Sequence, residues 1–104
     1  MKHLLLDLEA HRCPSVMSKT RLFLKLFTTK SEKYAVLQTI EPSAERDLKA
    51  LIAGEFPHLS LIDCQKEVLT TQLRQTFLNS IQNFDEEDFS GCDSRFTYLI
   101  AKEN

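Results

Sequence analysis

Tyr34-Ala35-Val36-Leu37-Gln38-Thr39-Ile40-Glu41-Pro42-Ser43-Ala44-Glu45-Arg46-Asp47-Leu48 decides the fold. Its first seven residues include Tyr, Val, Thr and Ile, which fit a pleated, half-buried surface, and they read as a strand. Pro42 has no amide to extend a sheet ladder, so the strand stops before it. Ser43 is a residue type that caps helix starts. Ala44, Leu48, Leu51 and Ile52 then recur at helical spacing, until Gly54 and Pro57 mark a stop around Phe56. Upstream, Leu4-Leu5-Leu6-Asp7-Leu8 is a short apolar run consistent with a buried strand. A loop from Glu9 to Arg12 leads to Cys13-Pro14, and a helix is expected from Pro14 to about Phe27. Val16, Thr20, Phe23 and Phe27 form its apolar stripe, with Leu24 beside them. Downstream, Leu59 to Cys64 reads as a third strand and Phe96 to Ile100 as a closing one. Between them Leu69, Leu73, Phe77, Ile81 and Phe84 repeat as on an amphipathic helix of roughly four turns. Asp85 to Ser94 reads as a polar loop. Two strand–helix–strand units predict an α/β sandwich, helices packed on a sheet, in a single domain spanning residues 1–104.

Composition bounds the function classes. A chain of 104 residues, 42% hydrophobic, can build one small core. No apolar run reaches the ~20 residues of a membrane span, and Asp7 interrupts the N-terminal leucines before they make a secretory signal. Three cysteines without an export signal indicate a reducing cytosol rather than a disulfide framework. The net charge is −2, unevenly spread: residues 1–33 hold seven positive and three negative side chains. That basic segment reads first as a solvated helix face, and otherwise as a surface for an acidic partner. The acidic run Asp85-Glu86-Glu87-Asp88 reads as a solvated loop.

Cys13 is the side chain with the clearest chemical promise. It precedes a helix that opens with Pro14, where unpaired amides and the helix dipole create positive potential. A thiolate is stabilised there, so the Cys13 thiol is expected to ionise more readily than a free cysteine. Arg12 adds a full positive charge next door. The thiolate is the nucleophile, which makes Cys13 the candidate for covalent sulfur chemistry. The plainer reading is a small core side chain. Met17, one turn on, reads as core filling that can lie over the sulfur.

The segment Leu6-Asp7-Leu8-Glu9-Ala10-His11-Arg12-Cys13-Pro14 resembles the opening of the TusA/SirA-like sulfur carrier family, a short strand ending in Leu-Asp, a loop, then Arg-Cys-Pro-x-Pro at a helix start. Glu41-Pro42-Ser43-Ala44-Glu45-Arg46-Asp47-Leu48 is similar to that family's acidic-Pro segment, and Tyr98-Leu99-Ile100-Ala101-Lys102 to its last strand. The likeness covers residues 3 to about 66 and then 95–102. Three features depart from the pattern. Val16 stands where the second proline belongs, Ala10 where Gly is usual, and an insertion of about residues 68–94 replaces a short turn.

The resemblance implies a βαβαββ two-layer sandwich, with a four-stranded mixed sheet and two helices on one face. Here a third helix is inserted between strands 3 and 4. It implies that Cys13 accepts a persulfide from a cysteine desulfurase-type donor and relays it to an acceptor protein, as in tRNA thiolation, without a cofactor. Arg12, Pro14, Met17, Lys19 and Arg21 are the expected supporting set, with Arg12, Lys19 and Arg21 docking an acidic partner and Asp47 fixing a helix start.

The remaining candidates read more blandly. Cys64 is expected in core packing and Cys92 exposed in a polar loop. His3, His11 and His58 lack paired ligand spacing with the cysteines, so no metal site is expected. Ser15 and Ser18 have no His-Asp partner pattern. The alternative function is a non-catalytic regulatory or protein-binding module, with the Leu69–Phe84 stripe as its contact surface. RNA binding is the weakest reading, because no basic stripe is interleaved with aromatics. Oligomeric state is not readable from the sequence.

Overall fold

The computed structural model describes residues 2–103. Four strands and three α-helices follow the order β1 (His3–Asp7), α1 (Ser15–Thr29), β2 (Tyr34–Thr39), α2 (Ala44–Glu55), β3 (Leu59–Val68), α3 (Thr71–Leu78) and β4 (Ser94–Lys102). A 3-10 turn at Glu86–Phe89 lies between α3 and β4. The sheet is mixed, in the order β1-β2-β4-β3. β1 and β2 run parallel, joined through α1, and β4 lies antiparallel to both β2 and β3. The expected βαβαββ sandwich with an inserted third helix is therefore the architecture observed.

One hydrophobic layer holds the two halves together. Ala35 and Leu37 on β2 face the same side as their β4 neighbours Ile100 and Tyr98. On that side they meet Val16, Phe23, Leu24 and Phe27 from α1, and Leu48, Leu51 and Ile52 from α2. Phe27, Leu24, Val16 and Leu48 are fully buried, as the helical spacing required. The opposite sheet face carries no helix, and Leu5 there is 56% exposed.

Three boundaries differ from the sequence reading. β3 continues past Cys64 to Val68, and a bulge between Leu61 and Asp63 adds one residue to its ladder with β4. Ile62 to Val68 are all exposed, because the helical layer does not cover this edge strand. Cys64, expected in the core, is accordingly exposed. The expected four-turn helix is instead α3, which ends at Leu78, and Ile81 falls outside it at 98% exposure. Asn79, Ser80 and Asn83 are turn formers, and Asn83 takes the left-handed conformation (φ 61°), so the chain reverses where apolar spacing alone had it continue. The acidic run is not a plain loop. Asp85 accepts from Glu87 N, and Asp88 accepts from Asp85 N at 2.9 Å, which caps the 3-10 turn at both ends of its first residues.

The insertion has a core of its own. Leu69, Phe77, Phe89 and Cys92 are buried together with Ala10 and Ile40, which come from the loops after β1 and β2. Phe77 and Phe89 stack at 6.5 Å, and Arg74 lies 5.3 Å over the Phe89 ring. Cys92, expected to be exposed, is 6% exposed within this cluster. The insertion is thus seated on the end of the sheet where Cys13 lies, not on the helical layer.

Candidate functional site

Cys13 sits in the loop from β1 to α1, and the loop's geometry follows from its residues. Asp7 ends β1 and its carboxylate accepts from Glu9 N at 2.9 Å, an Asx turn that tolerates the left-handed Glu9 (φ 49°). His11 N donates back to Leu8 O at 2.9 Å. Leu8 is buried in the main core and Ala10 in the second, so the loop is pinned on both sides. Ala10 has no exposed surface, so a larger side chain there would have to displace its neighbours in the second core. His11 packs edge-on against Phe84 of the insertion at 4.9 Å.

The centre of the arrangement is Glu41, which is 7% exposed. Its amide is held by Thr39 Oγ1 at 3.1 Å, just beyond the end of β2. Oε1 accepts from Arg12 Nε and from Cys13 N, both at 3.1 Å. Oε2 accepts from Ser43 N at 3.2 Å and from Ser43 Oγ at 3.1 Å. Burial alone would push this carboxyl up. The bonds from the Cys13 and Ser43 amides, the Arg12 guanidinium and the Ser43 hydroxyl outweigh burial and hold it below its ordinary value. The Cys13 Sγ lies 3.7 Å from Ser43 Oγ. Ser43 gives its hydroxyl hydrogen to Glu41.

Arg12 ties this centre to the insertion. One of its terminal nitrogens donates to Asp88 O at 3.1 Å and to Ser90 O at 2.7 Å, while Nε stays on Glu41. The planar guanidinium suits such a divided role, since its donors point in fixed directions. Arg12 is therefore an internal brace, with its side chain 30% exposed.

The other expected site residues separate. Pro14 is the N-cap of α1, exposed, with Cys13 one position outside the helix. Val16 N bonds to Arg12 O, and Met17 N and Ser18 N to Pro14 O, each at 3.2 Å, so the first turn directs these amides to carbonyls of its own loop. Met17 is half-buried and packs with Cys13 against the main core, as core filling. Lys19 is exposed on α1. Arg21, expected to face a partner, is exposed on α1 and pairs with both oxygens of Glu55 on α2 at 2.9–3.2 Å. Asp47 N bonds to Ser43 O, and with Glu45 it places negative charge in the first turn of α2.

In the sequence Glu41 is legible only as the acidic residue of the acidic-Pro segment and Ser43 only as a helix cap. No local pattern marks a carboxylate that will be buried against a loop 28 residues away. The carbonyls of Asp88 and Ser90 carry no side-chain signal at all. Of the apolar stripe that the binding-module reading left for a partner, Leu69 and Phe77 are buried within the chain, Leu73 and Phe84 are half-buried, and Ile81 is exposed.

The three thiols are unpaired and occupy different surroundings: Cys13 half-buried, Cys64 exposed, Cys92 buried. Burial raises the Cys92 thiol, opposed by Arg12. Partial burial and then Glu45 raise the Cys64 thiol. Among the described residues, no helix is long and apolar enough to cross a membrane. No family model, curated protein or solved structure matches this chain.

Proposed function

We propose that this protein is a cytosolic sulfur carrier of the kind its opening segment resembles, with Cys13 as the atom that bears the sulfur. The observation that carries the reading is the half-buried Cys13 thiol at the head of α1, on a loop whose backbone is bonded on both sides of the cysteine. A carrier needs no deep substrate pocket. It needs a sulfur within reach of another protein's thiol, held where that partner can find it. Three unpaired cysteines fit a reducing compartment.

In the forward step the Cys13 thiolate attacks the outer sulfur of a cysteine desulfurase-type donor's persulfide. A new sulfur–sulfur bond forms on Cys13, the donor's sulfur–sulfur bond breaks, and the donor cysteine leaves as a thiolate. Delivery to an acceptor protein repeats the exchange with Cys13 as the leaving group. Arg12 lies beside this anion in sequence, and its charge is shared with Glu41. Lys19 and Arg21 of the expected docking set are both exposed on α1, Arg21 in a surface pair with Glu55.

The test is incubation with a cysteine desulfurase and sulfur-labelled cysteine, followed by peptide mass spectrometry. The expected result is a gain of one sulfur on the Cys13 peptide, abolished in Cys13→Ser and retained in Cys64→Ser and Cys92→Ser. Absence of label from the wild-type chain, or equal label on Cys13→Ser, overturns the reading.

A further inference from the structure

We infer that Glu41 is the positioning residue for the Cys13 sulfur. This rests on the carrier reading for its purpose, but the geometry stands without it. The Glu41 carboxylate receives hydrogen bonds from the amide of Cys13 itself and from the hydroxyl of Ser43, on which the thiol rests. One side chain thereby sets both the backbone that carries the sulfur and the group the sulfur leans against. Its two remaining donors, Arg12 Nε and Ser43 N, complete the shell and link it to the insertion through Asp88 O and Ser90 O.

The energetics favour a positioning role over simple stabilisation. A buried carboxylate loses hydration, and an ion pair of this kind is often no more stable than apolar side chains of the same size. What charged groups add is direction, because each bond must be met by a donor at the right place. The second core shows that this end of the fold can be closed with Phe77, Phe89, Leu69 and Ile40. A carboxylate kept 7% exposed beside them points into the Cys13 loop and organises it.

The experiment compares amide hydrogen exchange at Cys13 with exchange at Leu37, a central residue of β2 that reports global opening, in wild type, Glu41→Gln and the core variant Leu59→Ala. Glu41→Gln removes the charge and turns one of the two acceptor oxygens into an NH2 donor facing other donors, which should accelerate exchange about tenfold or more. The expected result is that Glu41→Gln accelerates Cys13 at least tenfold beyond any change at Leu37, whereas Leu59→Ala accelerates both amides together. Sulfur loading should also fall at least tenfold in kcat/KM for Glu41→Gln. If Glu41→Gln does not fold, Glu41→Asp serves instead. It keeps the charge, but its carboxylate is one methylene too short to hold Cys13 N and Ser43 at once, and the same excess at Cys13 is expected. Equal acceleration of Cys13 and Leu37 in the variant overturns the positioning role. The exchange measurement needs no sulfur donor. Failure of loading in wild type with the Cys13 excess intact therefore sinks the carrier reading alone.

Discussion

Replacing Arg12 by alanine should loosen the whole Cys13 end of the molecule, and the size of the effect can be worked from its contacts. The change removes a charge-assisted bond to Glu41 and two bonds to the carbonyls of Asp88 and Ser90. All three are donated by the charged guanidinium, and bonds to charged groups contribute about 1.5–3 kcal/mol each. These do not add fully. The Arg12 side chain is 30% exposed and Glu41 keeps its donors from Cys13 and Ser43, so a net loss of about 2–3 kcal/mol is expected, below the ~3–5 kcal/mol for breaking a fully buried pair. At about 4–8 °C per kcal/mol for a domain of this size, Tm should fall by roughly 8–24 °C. Urea and thermal melts followed by circular dichroism at pH 7 measure it. Arg12→Lys should recover less than half, because a point charge that reaches Glu41 cannot also span two carbonyls. The pH dependence has a definite sign. The folded Glu41 carboxyl lies below its ordinary value of 4.5, so its contribution is complete above that value and is lost as pH falls through the lower, folded one. The gap between wild type and Arg12→Ala should therefore narrow in acid. A loss at pH 7 under about 0.5 kcal/mol, the range of ordinary surface changes, would refute the brace.

Phe77→Ala should cost about 2–4 kcal/mol, somewhat under the usual aromatic truncation because the second core is thin and can relax; a midpoint unchanged in urea would show that the insertion is not folded onto the Cys13 end. Under native conditions a neutral alkylating reagent should label Cys13 and Cys64 while sparing Cys92, which is buried and has a thiol raised by burial; mass spectrometry showing Cys92 modified as early as Cys64 would contradict its placement.

Much of the architecture was legible because it rests on local periodicity. Val16, Phe23, Leu24 and Phe27 had to face one layer whatever that layer was, and so did Leu48, Leu51 and Ile52. The β-forming residues of Tyr34 to Ile40 similarly marked a strand, and the structure covers its alternate residues Ala35, Leu37 and Thr39. Periodicity misled where it continued without a partner. Leu69 to Phe84 keeps helical spacing through Ile81, yet Asn79 to Asn83 turn the chain and Phe84 returns to meet His11. Cys64 shows the same limit. Its place on a strand was readable, but whether a helix lay over that strand was not, and the helical layer does not cover it.

By itself the sequence determined the element types, the two helical stripes and the placing of Cys13 beside Arg12 at a helix start, since each depends on residues within one or two turns of one another. Tertiary structure alone decided which distant groups meet there. Glu41, Ser43, Asp88 and Ser90 reach the Cys13 loop across 28 to 78 positions of chain. Hydrogen bonding is directional and short in range, so such a cluster exists only once the sheet order and the second core have brought its members together.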